Sequence, residues 1–139
     1  MYVVDASVAV LWFVPQEHAE RATAVLASKV RLLAPRFFRL EVGSSLLRAV
    51  RRSELGSDAA ARILDVLLPR SVTLTDEPAD EIAAFDIARE HGGSLYDGVY
   101  VALARRLGAT LVTGDARMHR TAAAAGSDSR LLAEWAFPP

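Results

Sequence analysis

The chain has 139 residues, enough for one domain whose core needs neither disulfides nor a structural metal. Its net charge of −1 excludes a global field that would draw in nucleic acid, and its 52% apolar content excludes bulk disorder. The absence of cysteine excludes thiol catalysis, thiolate metal sites and a disulfide framework. That absence fits a cytoplasmic protein. The amino-terminal stretch MYVVDASVAVLWFV is apolar, but it lacks a basic n-region and contains Asp5, so it does not read as a signal peptide. No uncharged apolar run reaches the ~20 residues of a membrane span, so no membrane association is expected. Of the 16 Lys and Arg side chains, all but Lys29 are arginine. Arginine suits bidentate phosphate contacts, although the many alanines point to GC-rich coding as the main cause.

Residues 1–4 read as a strand ending at Asp5. Residues 7–13 and 16–28 read as helices parted by Pro15, and 31–34 as a short strand stopped by Pro35. Residues 36–52 carry Phe38, Val42, Leu46 and Ala49 at helical spacing. Ser57 is expected to cap a helix over 58–68 that ends at Pro69, and 71–75 alternate like a strand. Residues 77–91 read as a helix stopped by Gly92 and Gly93, and 95–107 as another closed by Gly108. A strand at 110–113, a helix at 115–125 and a last strand at 130–135 complete the order. Strands alternating with helices predict an α/β fold, with a parallel sheet covered on both faces and a single domain over residues 1–139.

Four carboxylates stand out. Asp5 directly follows the first strand, and Asp115 follows the strand TLVT after one glycine. In an open parallel sheet, ligands bind beyond the carboxyl ends of the strands, so both acids belong to one edge. Taken singly, each is explained as a helix cap. Glu41 is flanked at helical spacing by Phe37, Phe38, Ser44 and Ser45, with no basic residue within one turn. A partly desolvated acid needs a counter-charge, from a bound cation or a longer-range ion pair. Asp97 opens an apolar-faced helix, where Ser94 and Asp97 also fit a capping box. Two like charges ~4 Å apart cost roughly 4 kcal/mol at an effective dielectric of 20, so such a cluster calls for protonation or a divalent cation. All-oxygen ligands favour Mg²⁺ or Mn²⁺ over Zn²⁺. His18, His91 and His119 lack metal-ligand spacing and read as surface residues.

The segments VVDASV, RLEVGSSLLRAV, SLYDGVYVALA and LVTGD, in this order across nearly the whole chain, resemble the PIN-domain family, and within it the single-domain VapC-like toxins. The resemblance implies a three-layer α/β/α sandwich around a central parallel sheet. It implies a catalytic metal site of Asp5, Glu41, Asp97 and Asp115, with Ser7 and Thr113 as supporting hydrogen-bond partners. Two positions depart from the common pattern: Ser44 stands where Asn is frequent, and Gly98 where Ala is common. Neither removes a carboxylate.

The expected activity is Mg²⁺-dependent (or Mn²⁺-dependent) endoribonuclease action by a toxin of a toxin–antitoxin pair. A metal-activated water would hydrolyse the phosphodiester. RNA as substrate, a cognate antitoxin and a homodimer are all implied by the resemblance. Arg48 and Arg52 follow Glu41 on the same helical face and are candidates to hold RNA phosphates, or form a solvated face. Trp12, Phe13, Phe37 and Phe38 are divided between core packing and an exposed partner patch. A non-toxin PIN-type nuclease of RNA processing is the alternative. A Mg²⁺-binding receiver-like signalling module is a weaker one, since Asp5 has no acidic neighbour and the single lysine is Lys29. A non-catalytic PIN-like module would have lost one of the acids, and all four are present.

Overall fold

A computed structural model describes residues 1–136. Five parallel strands form one sheet: β1 (Tyr2–Val4), β2 (Leu32–Ala34), β3 (Thr73–Leu74), β4 (Thr110–Thr113) and β5 (Ser129–Leu131), in the order β3-β2-β1-β4-β5. Consecutive strand residues point to opposite faces. Val3 and Val4 are both fully buried, as are Leu111 and Val112. Both faces are therefore covered, as a parallel sheet requires, and the expected α/β architecture is present.

The chain steps outward from β1 to β2 and β3, then returns to the other side of β1 for β4 and β5. The order reverses between β1 and β4, whose last paired residues are Val4 and Val112. A crevice opens beyond the carboxyl ends of the strands at such a reversal. A receiver-like sheet has the order 2-1-3-4-5, so this topology rejects that alternative.

The helices are α1 (Ala6–Ala9), α2 (Ala19–Ala27), α3 (Phe38–Arg51), α4 (Ser57–Arg62), α5 (Leu68–Ser71), α6 (Pro78–His91), α7 (Leu95–Leu107) and α8 (Ala116–Ala124). Helix α7 is the central one. It packs on β1, β4, α6 and α8, and every residue from Gly98 to Ala104 is buried. A helix apolar all round needs neighbours on every side. Two features seat it against α6. A Cβ at position 98 would lie 2.6 Å from the Ala84 carbonyl oxygen, so glycine permits the close approach. Farther along, Arg106 donates through Nε and Nη2 to the two oxygens of Asp80, at 2.8 and 2.9 Å. Burial alone would push the Asp80 carboxyl up, but Arg106 and the Glu77 amide more than offset it and hold it below the usual range.

Several boundaries differ from the sequence expectation. Helix α2 starts at Ala19 rather than 16, because His18 has φ 68° and cannot continue a right-handed helix. The helix expected over 7–13 is α1 followed by a tighter turn, Val10–Trp12. Ser57 is the first residue of α4, and Gly56 occupies the cap without a side-chain bond. Pro69 does not end its helix. A widened π-turn, Ile63–Leu67, precedes it, and the helix resumes through Ser71. Proline lacks the N–H for a regular turn, and a wider turn accommodates that. The outer strands are shorter than their patterns suggest, as protected edges tend to be: β3 spans only Thr73–Leu74, and β5 yields at Leu132 to a tight turn. Trp135, expected in the last strand, is buried instead, edge-on to Tyr2 at 5.4 Å. Among the described residues no helix is long and apolar enough to cross a membrane.

Replacing glycine by alanine inside a helix ordinarily gains about 1 kcal/mol. Gly98→Ala is expected to reverse that sign and cost about 2 kcal/mol, because the added methyl meets backbone. Urea unfolding of the two proteins decides it; a stabilised variant would show that α6 yields instead.

Candidate active site

Asp5 leaves β1 in an extended conformation and caps α1, which turns its carboxylate back over the end of the sheet. Only 4% of the residue is exposed. Three donors compensate for the lost water. Oδ1 accepts from the Ser7 hydroxyl at 2.6 Å and from the Val8 amide at 3.3 Å, and Oδ2 accepts from the Thr113 hydroxyl at 2.6 Å. Both hydroxyls also accept: Ser7 from the Gly114 amide at 2.9 Å, and Thr113 from the Asp115 amide at 3.0 Å. The exit of β1 is thus tied to the exit of β4 through one carboxylate. Burial nevertheless dominates and raises the Asp5 carboxyl from its ordinary 3.8 to about 6, the hydrogen bonds lowering it and nearby Glu41 adding a small rise.

Glu41 lies in the first turn of α3, half-buried. Among the described residues it has no ion-pair partner, and its hydrogen-bond partner comes from another helix. The Tyr100 hydroxyl on α7 donates to Oε1 at 2.6 Å. Burial raises the Glu41 carboxyl, Tyr100 lowers it, and the Asp97 charge raises it again. Tyr100 is itself driven far above the usual phenol value, by burial first and then by Glu41, so it remains a donor. Phe37 packs edge-on to Tyr100 at 5.4 Å and to Tyr96 at 5.1 Å, and this holds the α3–α7 contact beside Glu41. Tyr100 was not singled out from the sequence, although its place one turn after Asp97 was a usable signal.

Asp97 closes the expected capping box with Ser94. Its Oδ2 is also paired, at 3.1 Å, with Nη2 of Arg117 from α8, another residue the sequence reading missed. Asp115 caps α8, with Oδ1 accepting from the amides of Arg117 at 2.8 Å and Met118 at 3.3 Å. Three acids therefore keep one oxygen without a hydrogen-bond donor among the described residues: Glu41 Oε2, Asp97 Oδ1 and Asp115 Oδ2. The Glu41 charge acts on Asp5 and the Asp97 charge on Glu41, and Thr113 links Asp115 to Asp5. Among the described residues no three carboxylates or imidazoles stand close enough together to hold a metal ion as the side chains are placed. The donor set still suits Mg²⁺, which is usually held by one or two carboxylates and keeps several waters.

Other expected residues lie apart. Arg48 and Arg52 are exposed and line a separate groove of about 210 Å³ that contains none of the four acids. Phe38 is fully buried, and Trp12, Phe13 and Phe37 pack against the core, so these four do not form an exposed aromatic patch. Exposed large apolar side chains include instead Leu40 and Leu47 on α3, Ile82 and Phe85 on α6, and Leu95 and Tyr96 on α7. His18 and His91 are exposed as expected, whereas His119 is half-buried and hydrogen-bonded to Ser129.

The buried Asp5 carboxyl sets a pH dependence for the metal-free protein. Its folded value of about 6 lies above its ordinary 3.8, so protonated Asp5 stabilises fully below pH 4 and that contribution is lost as pH rises through 6. A shift of this size corresponds to about 3 kcal/mol. In EDTA, Asp5→Asn should match the parent near pH 4 and exceed its stability at pH 7. Urea unfolding at both values checks this; a variant less stable at pH 7 would mean that the carboxylate's hydrogen bonds outweigh its desolvation.

The PIN domain family profile matches residues 2–124. The chain is 33% identical to ribonuclease VapC3 of Pyrobaculum aerophilum over 118 residues, covering 84% of this chain and 90% of that protein. It is 33% identical to ribonuclease VapC9 of Mycobacterium tuberculosis over 123 residues, covering 87% and 91%. The crystal structure of Mycobacterium tuberculosis VapC20, described as a sarcin–ricin loop cleaving toxin, superposes with a TM-score of 0.71 at 20% identity, covering 91% of this chain and 96% of that one. A match over this span, on a parallel sheet with acids beyond its strand ends, establishes that the chain belongs to the PIN-domain family.

Proposed function

We propose that this protein is a divalent-metal-dependent endoribonuclease and the toxin of a toxin–antitoxin pair. The observation that carries the reading is Asp5, a carboxylate buried at the β1–β4 reversal and lifted toward neutrality, with Glu41 within electrostatic reach of it and Asp97 within reach of Glu41. Such a group is stabilised as an anion by a cation beside it. The names and coverage of the ribonuclease relatives support RNA as the substrate.

In this reading Asp5, Glu41, Asp97 and Asp115 hold Mg²⁺ or Mn²⁺, directly or through water. The chemistry supplied by the bound ion is neutralisation of the phosphodiester's charge and activation of a water. The chain's own residues aim the acids. Ser7 and Thr113 fix both oxygens of Asp5, and Tyr100 fixes Oε1 of Glu41 and leaves Oε2 for the site. Arg48 and Arg52 are offered to RNA phosphates farther along α3. A homodimer and a cognate antitoxin are proposed partners, supported by the exposed apolar side chains of α3, α6 and α7.

Cleavage of single-stranded RNA should require Mg²⁺ or Mn²⁺ and stop in EDTA. Asp97→Asn is expected to lose about 100-fold or more, and Tyr100→Phe, which deprives Glu41 of its donor, about tenfold. Full activity in EDTA or in Asp97→Asn would overturn the mechanism. Expression of the chain alone should arrest growth, co-expression with its neighbouring gene product should relieve the arrest, and Asp97→Asn should abolish it. A harmless chain that still cleaves RNA would leave a PIN-type nuclease without the toxin role.

A further inference from the structure

We infer that Arg117 is a substrate-binding residue of this site, stored on Asp97 while the carboxylates hold no metal and released toward a substrate phosphate when Asp97 takes a metal ion. The inference rests on the nuclease reading and adds to it a residue outside the carboxylate set.

Two contacts define the device. The Arg117 amide donates to Oδ1 of Asp115 at 2.8 Å, which pins its backbone to one acid at the start of α8. Its guanidinium reaches a second acid, with Nη2 3.1 Å from Oδ2 of Asp97. The two ends of that ion pair differ. The Asp97 side chain is 14% exposed and held by the Ser94 amide, whereas the Arg117 side chain is 61% exposed. One partner is therefore fixed in the crevice wall and the other hangs in solvent.

A pair with one end in water is weak and exchanges readily. A divalent cation on Asp97 competes for the same negative charge and repels the guanidinium, so metal affinity and the Asp97–Arg117 pair oppose each other. The freed guanidinium stays within side-chain reach of the site, because its backbone amide stays bound to Asp115. What lies within its reach is the place where an anionic substrate would sit, and a planar fork of five N–H donors matches a phosphate bidentately. Without metal, Arg117 dampens the repulsion among the acids; with metal and RNA, it becomes a phosphate clamp. Asp97 is thereby the point at which metal binding and substrate binding are coupled.

Mn²⁺ binding to the full chain, followed by electron paramagnetic resonance without RNA, tests the first half. Arg117→Gln is expected to bind Mn²⁺ roughly fivefold more tightly, the scale of such an ion pair. Asp97→Asn should bind more weakly, and adding Arg117→Gln to it should change nothing further. The second half is read from binding of a single-stranded RNA oligonucleotide with Ca²⁺ in place of Mg²⁺. Arg117→Gln should bind more weakly, and its log–log salt slope should shrink by about 0.7, one phosphate contact's worth; Arg117→Lys should restore the slope. Mn²⁺ affinity lost in Asp97→Asn but unchanged in Arg117→Gln would overturn the role of Arg117 alone, as would an unchanged salt slope. Mn²⁺ affinity unchanged in Asp97→Asn would overturn the metal site itself and this role with it.

Discussion

The carboxyl group of Asp5 sits where two neighbouring parallel strands end, and almost no water reaches it. Leaving a carboxylate there without partners would cost more than a marginally stable domain can absorb. The Ser7 and Thr113 hydroxyls and the Val8 amide offset part of that cost. Because both hydroxyls in turn accept amides from the β4 exit, the geometry of Asp5 also sets the path of the chain into α8 and hence the place of Asp115. One desolvated group thus organises two strand exits, and it remains short of charge compensation. The resulting rise of its titration toward neutrality is a local imbalance of the kind that gathers at working sites.

The other acids depend on α7. That helix brings Asp97 and Tyr100 to the crevice, and its seat is set by contacts with α6: the glycine contact of Gly98 with Ala84 and the Arg106–Asp80 pair. Breaking a well-bonded buried pair is far more damaging than never having had it. Residues that look purely structural therefore control where the carboxylates lie. Glycine at position 98 is read as a packing requirement of this chain, not as a change in substrate contacts.

Stability and activity pull against each other in such a crevice. Ionised acids that feel one another destabilise the metal-free protein, and Tyr100 and Arg117 partly relieve them by a hydrogen bond and an ion pair. Both relieving groups come from elements other than those bearing the acids they serve. The proposed site is consequently an assembly from the ends of β1 and β4 and from α3, α7 and α8, and the groove of the two exposed α3 arginines, Arg48 and Arg52, contains none of its acids.

Periodicity and punctuation in the sequence determined the alternation of strands and helices, because apolar spacing and Gly and Pro breaks are local properties. They determined the capping roles of Asp5, Asp97 and Asp115 for the same reason, since a cap needs only the next few amides. The four motif segments in their order carried the family. Local pattern misjudged Pro69, where the chain widened a turn in place of ending the helix, and β5, where Trp135 packed inward against Tyr2. Tertiary structure alone decided which partner each acid found. Tyr100 is 59 residues from Glu41 and Arg117 is 20 from Asp97. Thr113 reaches Asp5 across 108 residues, through strands paired only in the folded sheet. Those choices set the charge balance of the crevice, because desolvation and Coulomb interaction follow distance in space and not separation along the chain.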